Sequence, residues 1–184
     1  DKENIDVIDG VGSFASENSV LVTTPSGEKK IIEGDFIIIN SGSKEADTPF
    51  EVVSSNVFSS QTLLDLKNLP KHFVIIGSGF IGIEFASMFA NFGSKVTIVG
   101  RSKLLKNEDD DIANSVKEAL RVQGVEILEG CEIECIKENV LNFKQNGEQR
   151  CLRADAFLIA LGRVANVDDL NLKAAGVDLN EKGF

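Results

Sequence analysis

An α/β fold built on a parallel sheet is predicted by two observations on this sequence of 184 residues. First, apolar strand candidates at residues 74–76, 95–99 and 125–128 alternate with helix candidates, and strand–helix alternation is typical of parallel sheets. Second, residues 132–152 contain short strand candidates separated by turn signals, including Asn146-Gly147, which predicts an antiparallel β-meander. We therefore expect a Rossmann-like parallel sheet with helices and a meander, flanked by further partial strands.

Composition and charge narrow the possible partners. The sequence is 42% hydrophobic and 26% charged, which is enough apolar material to bury a core. Its net charge of −10 argues against nucleic acid and membranes as partners, because both select basic surfaces. No stretch has the pattern of a signal peptide or a membrane span. We expect a cytoplasmic protein.

The three cysteines fit neither a metal-site spacing nor a Cys-x-x-Cys redox pair. Cys131 and Cys135 alternate with Glu132 and Glu134, so both are predicted to face inward on one strand. We interpret these two as small buried hydrophobes, and the alternative is a redox role; the third cysteine is Cys151. An odd number of cysteines without a disulfide framework suits a reducing compartment.

A glycine fingerprint, Gly-x-Gly-x-x-Gly, follows the first predicted strand of the parallel sheet. In this pattern Gly77 makes the tight turn, Gly79 lets the backbone approach a pyrophosphate, and Gly82 allows close packing of helix on sheet. The helix N-terminus offers free N–H groups to phosphates, and Gly93 is the expected end of that helix. We predict that this loop binds a dinucleotide through Gly77, Ser78, Gly79, Phe80, Ile81 and Gly82. The alternative is a strand-to-helix turn without a ligand.

The end of the second parallel strand bears on the choice of nucleotide. An acid at this point suits the ribose hydroxyls of NAD, whereas a nearby Arg suits the 2′-phosphate of NADP. Here Gly100 is followed by Arg101, Ser102, Lys103 and Lys106, with no acid until Glu108. Gly100, Arg101, Ser102 and Lys106 are predicted to bind the cofactor, with NADP favoured over NAD. The alternative is a solvated loop whose cations balance the acids at 108–111.

The first part of the chain is predicted to be a meander of three strands, at residues 6–14, 19–24 and 31–40. Its last strand includes the apolar run Phe36-Ile37-Ile38-Ile39, which predicts that this strand is buried. Residues 44–58 are predicted to be a polar connector, and residues 59–69 a short amphipathic helix that ends at Pro70. The single histidine, His72, begins the next strand and is interpreted as a surface or strand-edge residue without a catalytic partner.

The rest of the chain is predicted from periodicity and turn signals. Residues 109–123 form a helix that ends at Gly124, and its apolar stripe is Ile112, Val116, Ala119 and Leu120. Short strands follow at 132–137, 140–145 and 149–152, and a buried strand at 156–160. The tail at 164–184 is rich in turns.

Several separate motifs in the chain carry a family resemblance. Residues 39–43 (Ile-Asn-Ser-Gly-Ser), Leu69-Pro70, the loop from Gly77 to Glu84, and residues 160–166 (Ala-Leu-Gly-Arg-Val-Ala-Asn) follow one another in a fixed order. This order resembles the middle of a class I pyridine nucleotide-disulfide oxidoreductase, the family of glutathione reductase, dihydrolipoamide dehydrogenase and mercuric reductase. Residues 80–98 are most similar to the reactive-chlorine-resistance branch, which is mercuric-reductase-like.

The resemblance implies a domain division. Residues 1–47 would be a partial FAD-domain segment, residues 48–162 the NAD(P)H-binding domain, and residues 163–184 a return segment toward the FAD domain. Such enzymes also have an FAD-binding glycine fingerprint, a Cys-x-x-x-x-Cys disulfide and a dimerisation domain, none of which is found in these residues. We therefore expect an excised segment of a homodimeric flavoprotein that is inactive by itself. The sequence departs from the family pattern at Asn40-Ser41 and at Ala165, but it keeps Gly42 and Gly162.

The resemblance also implies roles for individual residues. Phe80 would cover the flavin until nicotinamide displaces it, and Glu84 would pair with a lysine beside the flavin. Further cofactor contacts are implied at Ser41, Gly42, Ala160, Leu161, Gly162 and Arg163. The alternatives are that Phe80 is a core aromatic and that Glu84 is only an anion favoured by the helix dipole.

The expected function is that of an NAD(P)H-binding domain, which delivers hydride from NADPH or NADH to flavin. The implied cofactors are NADP or NAD, and FAD in the parent enzyme. The implied partners are the nicotinamide nucleotide and the parent's FAD and dimerisation domains. An alternative of a different class is a free-standing nucleotide-binding or sensing module without turnover.

Overall fold

A computed structural model describes residues 5–181 and residue 183. The chain divides into two compact units, one formed by Asp1–Lys44 with Arg163–Phe184 and the other by Glu45–Gly162. We call them the outer unit and the central unit. None of the described helices is long and apolar enough to cross a membrane.

Within the described residues, the secondary structure consists of fourteen strands, two α-helices and three short 3-10 helices. In chain order the strands are β1 (Val11–Ser16), β2 (Ser19–Thr23), β3 (Lys29–Glu33), β4 (Ser43–Glu45), β5 (Glu51–Val53), β6 (Val57–Phe58), β7 (His72–Ile76), β8 (Lys95–Val99), β9 (Glu126–Leu128), β10 (Cys131–Lys137), β11 (Val140–Gln145), β12 (Glu148–Arg153), β13 (Ala156–Ile159) and β14 (Arg163–Ala165). The helices are α1 (Phe80–Asn91) and α2 (Asp110–Val122), and the 3-10 helices are Thr62–Asp65, Asp168–Leu170 and Leu172–Ala175.

The central unit contains the predicted parallel sheet, in the order β6-β13-β7-β8-β9. Every neighbouring pair in it is parallel. The predicted fold class is therefore confirmed, with strand β8 at its expected bounds. The predicted meander is also present: β10, β11 and β12 are antiparallel and form a second sheet together with β5.

The parallel sheet is buried on both faces. Phe73 and Ile75 of β7 pack with residues of α1 and α2, including Phe89 and Leu120. The residues that alternate with them, Val74 and Ile76, pack against the meander sheet. Burial on both faces explains why the central strands are almost continuously apolar.

Some local predictions in the central unit are wrong. The expected connector at 44–58 contains β5 and β6, because short strands can form at a sheet edge with little sequence signal. The expected helix at 59–69 is reduced to the 3-10 helix Thr62–Asp65. Helix α2 buries Ala113 and Leu120 with Val116 partly buried, whereas Ile112 and Ala119 are exposed. The prediction of the apolar stripe is therefore confirmed at Val116 and Leu120 and wrong at Ile112 and Ala119, with Ala113 buried instead.

The cysteines are only partly as predicted. Cys131 is buried, but a β-bulge between Ile133 and Cys135 changes the alternation, so that Ile136 is buried and Cys135 only partly so. Such a bulge inserts a residue and re-aims those after it. Cys151 is exposed on β12, and all three thiols are free.

The outer unit contains the antiparallel sheet β1-β2-β3. The predicted strands at 6–14 and 31–40 are too long: β1 begins at Val11 and β3 ends at Glu33. Phe36 is 93% and Ile38 89% exposed in a segment without strand structure, because no neighbouring strand offers it a ladder of hydrogen bonds. Later in the unit, β14 pairs with β4, and the Arg163 guanidinium donates hydrogen bonds to the Ser43 hydroxyl and carbonyl.

His72, which is interpreted from the sequence as a surface or strand-edge residue, is half-buried at the start of β7 and has a polar partner. Its Nε2 lies 3.0 Å from Oγ1 of the buried Thr97, and that hydroxyl donates to Oε2 of Glu126 at 3.0 Å. A hydroxyl has one proton, so Nε2 must be the donor to Thr97. Burial, with the nearby Lys95 charge, lowers the pKa of His72 below 6.5, and the Glu126 and Asp155 charges only partly oppose this.

We predict that this histidine makes stability depend on pH. Because the folded pKa lies below the unfolded value near 6.5, the neutral imidazole stabilises the fold above that pH. The free energy of unfolding should therefore fall as the pH decreases from about 6.5 through the folded pKa. The test is an NMR titration of this single histidine together with denaturant unfolding at several pH values. The His72→Gln variant should lack this part of the pH dependence, and a folded pKa above 6.5 would contradict the prediction.

Candidate functional site

A cavity of about 650 Å³ lies in the central unit, where β7, β8 and β13 end. Ligands of open parallel sheets bind in such a crevice, outside the carboxyl ends of the strands. The predicted site residues that line it are Gly77, Ser78, Gly79, Phe80, Arg101, Ser102, Lys106, Ala160, Leu161 and Gly162. The structure thus brings together three loops that are far apart in sequence.

Two of the fingerprint glycines are required by the fold itself. Gly77 has φ +129°, and a Cβ there would lie 2.2 Å from the Ala160 carbonyl oxygen. A Cβ on Gly82 would lie 2.6 Å from the Gly77 carbonyl oxygen. Neither position therefore has room for a side chain, with or without a ligand.

Gly79 differs from both. Its backbone is extended, with φ −94° and ψ −175°, and a Cβ there would meet no atom within 4 Å. Any residue could adopt that conformation, so neither strain nor packing requires a glycine. Gly79 lines the cavity, and it is the N-cap of α1 without a side-chain cap. The open space and the free N–H groups at this helix end fit a bound anion such as a pyrophosphate.

The first turn of α1 contains no acidic residue. The positive end of its dipole is therefore not neutralised by a side chain of that turn. This favours an anionic ligand at the same place where Gly79 leaves room for one.

The loop after β8 presents cations to the cavity. Arg101 and Lys106 line it, and neither forms an ion pair within residues 5–181 and 183. Lys103 does not line it and is paired with Asp110. The Lys103–Asp110 pair agrees with the alternative of a solvated loop whose cations balance the following acids.

Gly100 has a packing role. It is buried, and a Cβ there would lie 2.9 Å from both Cβ and Oγ of Ser78. The predicted contact residues Ile81, Gly82 and Gly100 do not line the cavity. Gly82 and Gly100 instead allow close approach of the backbone segments that form it.

The two residues with implied catalytic roles are placed differently. Phe80 is 61% exposed and lines the cavity, so the alternative of a core aromatic is wrong in this structure. Glu84 is exposed on α1 and does not line the cavity. Ser41, Gly42 and Arg163 belong to the outer unit, where Gly42 has φ +73° and Asn166 donates its backbone N–H to the Gly42 carbonyl.

Sequence reasoning missed part of the cavity lining, namely Ala46, Asp47, Pro49, Phe50, Leu105, Asn107, Glu108, Cys131, Glu132 and Ile133. Residues 131–133 come just after the third parallel strand, so the rule that sites lie at carboxyl ends could have found them. Residues 46–50 had no such signal, because that segment was interpreted as a connector. In the described part of the chain, no group of three or more His, Cys, Asp or Glu residues could hold a metal ion.

Comparisons with known proteins agree with this architecture. The family described as "Pyridine nucleotide-disulphide oxidoreductase" matches residues 1–184. Among curated proteins, the chain is 42% identical to the probable pyridine nucleotide-disulfide oxidoreductase RclA of Escherichia coli, over all of this chain and 42% of that protein. It is 36% identical to a dihydrolipoyl dehydrogenase of Bacillus subtilis, over all of this chain and 41% of that protein. It is 34% identical to a mercuric reductase of Lysinibacillus sphaericus, over 97% of this chain and 33% of that protein.

A solved structure also matches this chain, in fold as well as in sequence. The HOCl-induced flavoprotein disulfide reductase RclA from Escherichia coli superposes with a TM-score of 0.84 at 42% identity, over 98% of this chain and 41% of that chain. The chain thus spans less than half the length of these relatives. The resemblance to class I enzymes and to their reactive-chlorine branch is confirmed. The chain belongs to the pyridine nucleotide-disulphide oxidoreductase family.

Proposed function

We propose that the central unit binds NAD(P)H, with NADPH preferred, and that the whole protein is an FAD-dependent reductase. The observation that carries this proposal is Gly79. It is the fingerprint glycine that the fold does not need, and it faces open space at the N-terminus of α1. A bound pyrophosphate accounts for a glycine there, because a side chain would occupy the space of the phosphates.

The adenosine end of the nucleotide lies at the loop after β8 in this proposal. Arg101 and Lys106 line the cavity without an ion pair in the described chain, so both are available to a 2′-phosphate. Gly100 stands at the end of β8, where NAD sites have an acid for the ribose hydroxyls. Ser102 adds a hydroxyl donor at the same edge. These features support NADPH over NADH.

The nicotinamide end lies near Phe80 and the Ala160-Leu161-Gly162 turn in this proposal. When bound, the reduced nucleotide supplies a hydride, which the flavin of the whole protein accepts. The part of these residues is to position the ring and to exclude water. Phe80 has an exposed ring at the cavity, which suits a cover that moves aside for nicotinamide. Glu84 is assigned a role beside the flavin by family resemblance alone.

The outer unit supports the proposal of an FAD domain. Phe36, Ile38 and Val7 are each more than four-fifths exposed, and exposed apolar residues of this size favour contact with another protein surface. In the proposal that surface belongs to the FAD domain of a homodimeric parent, with Ser41, Gly42 and Arg163 near the flavin. The free thiols support a cytoplasmic location.

The first prediction concerns Gly79. Gly79→Val should abolish nucleotide binding and leave the fold intact, because the new side chain enters the cavity and meets no protein atom at Cβ. The measurement is calorimetric titration with NADPH, together with circular dichroism. Asn91→Val, at the exposed end of α1, is the control for adding a β-branched residue to this helix. Unchanged affinity in folded Gly79→Val would show that the fingerprint is only a turn.

The second prediction concerns the choice of nucleotide. NADPH should bind more tightly than NADH, and salt should weaken NADPH binding more steeply. Arg101→Ala should reduce this preference by roughly tenfold, the lower range for a hydrogen bond to a charged group. Calorimetry with both nucleotides tests it. Arg153→Ala removes an exposed cation of β12 that does not line the cavity and should leave the preference unchanged. Equal affinities of the wild-type protein for the two nucleotides would contradict the proposed preference for NADPH.

The third prediction separates this segment from the whole enzyme. FAD requires its own glycine fingerprint at a helix N-terminus, and this sequence has one fingerprint, which the nucleotide would use. The purified chain should therefore bind NADPH, retain no FAD, and not oxidise NADPH with quinone or disulfide acceptors. An absorbance spectrum and an acceptor-dependent assay test this. A yellow protein with stoichiometric flavin would contradict it.

A further inference from the structure

Glu129 holds the loop that presents the cations. This loop, residues 101–106, is named the cation loop. The Glu129 side chain follows β9, and its Oε1 accepts the backbone N–H of Leu104 at 2.8 Å. Its Oε2 is paired with Lys117 of α2, and both side chains are partly buried. The carboxylate therefore connects the middle of the cation loop to a helix and to the end of a strand.

The charge state of Glu129 agrees with this role. Burial alone would raise its pKa, but the hydrogen bonds from Lys117 and from the Leu104 N–H, with the Lys117 and Arg121 charges, lower it below the ordinary value. The group is thus an anion with partners for both oxygens.

The cation loop needs such support because its conformation is strained. Leu105 has φ +51°, a left-handed conformation that is unfavourable for a residue with a branched side chain. Leu104 and Leu105 are both buried, and Leu105 lines the cavity together with Arg101 and Lys106. Strain of this kind persists only where the surroundings hold it.

The loop of the glycine fingerprint, residues 77–82 and here named the glycine loop, provides the second support for the cation loop. The Leu105 N–H donates to the Ser78 carbonyl at 2.9 Å. Consecutive N–H groups of the cation loop are therefore bound by two different anchors, Glu129 and Ser78. Glu129 accepts its N–H group with a side chain and does not line the cavity, whereas Ser78 accepts with its backbone carbonyl.

We infer that Glu129 is a positioning residue for nucleotide choice: it holds the cation loop so that Arg101 and Lys106 face a 2′-phosphate. The inference rests on the proposed function. An effect of the Glu129 charge and an effect of its hydrogen bond predict different changes in phosphate binding. By charge alone, an anion near the site repels a phosphate, so neutralising Glu129 should strengthen phosphate binding. Positioning predicts that the hydrogen bond matters, whatever the charge.

Two variants separate geometry from charge. Glu129→Asp keeps the charge but is one methylene shorter, so the carboxylate cannot reach both Leu104 and Lys117 as before. Glu129→Gln removes the charge but keeps the length and an acceptor oxygen for the Leu104 N–H. Glu134→Ala is the control, because it removes a carboxylate with a comparable ion pair to Lys144 and a hydrogen bond from Gln149 on the meander sheet.

The measurement is the ratio of dissociation constants of 5′-AMP and 2′,5′-ADP, obtained by calorimetry. These probes differ only in the 2′-phosphate. Glu129→Asp should reduce the ratio by roughly tenfold, as expected for the loss of a hydrogen bond to a charged group, and should leave 5′-AMP affinity near wild type. Glu129→Gln and Glu134→Ala should keep the wild-type ratio.

The outcomes can be told apart. An unchanged ratio in Glu129→Asp, or equal weakening of both probes, would overturn the positioning role. A reduced ratio in Glu129→Gln would overturn the positioning role as well, since the Gln side chain keeps an acceptor oxygen for the Leu104 N–H. If the wild-type protein binds neither probe, or binds both equally, the proposed NADPH site fails and the inference fails with it.

Discussion

Close packing of the turn after β7 against the end of β13 is the constraint on which the site depends. Gly77 lies so near the Ala160 carbonyl that no side chain fits between them. In the same place the Ala160 N–H donates to the Ile76 carbonyl at 2.8 Å, and the Gly77 N–H donates to the Val99 carbonyl at 3.0 Å. Three neighbouring strands therefore end at one level, and the loops that follow them surround one cavity.

This arrangement separates the requirements of the fold from those of a ligand. Gly77 and Gly82 have no space for a Cβ beside backbone atoms, so they would be glycines in any protein with this packing. Gly79 has space and an ordinary backbone conformation. A fingerprint is commonly taken as a single signal, but only one of its three glycines here is direct support for nucleotide binding.

The cation loop shows how a fold can position charge without a regular element. Its two leucines are anchored in the core, its N–H groups are bound by Ser78 and Glu129, and Lys103 is neutralised by Asp110. Arg101 and Lys106 are the two cations of the loop that line the cavity. The same loop is hydrogen-bonded to the glycine loop. The regions proposed for the pyrophosphate and the 2′-phosphate are therefore in direct contact.

The sequence by itself determined the parallel sheet, the glycine loop at its edge and the family, because these depend on local patterns. Apolar runs buried on both faces, a strand–glycine–helix order and the Asn146-Gly147 turn are each readable within a few residues. Only the tertiary structure decided which residues share the cavity, that Phe80 is exposed and that Glu129 holds the cation loop. It also decided the exposed conformation of residues 34–40 and the bulge that turns Cys135 away from full burial. The physical reason is that these features depend on which distant segments pack or hydrogen-bond together, and such long-range pairing leaves no periodic signal in the chain.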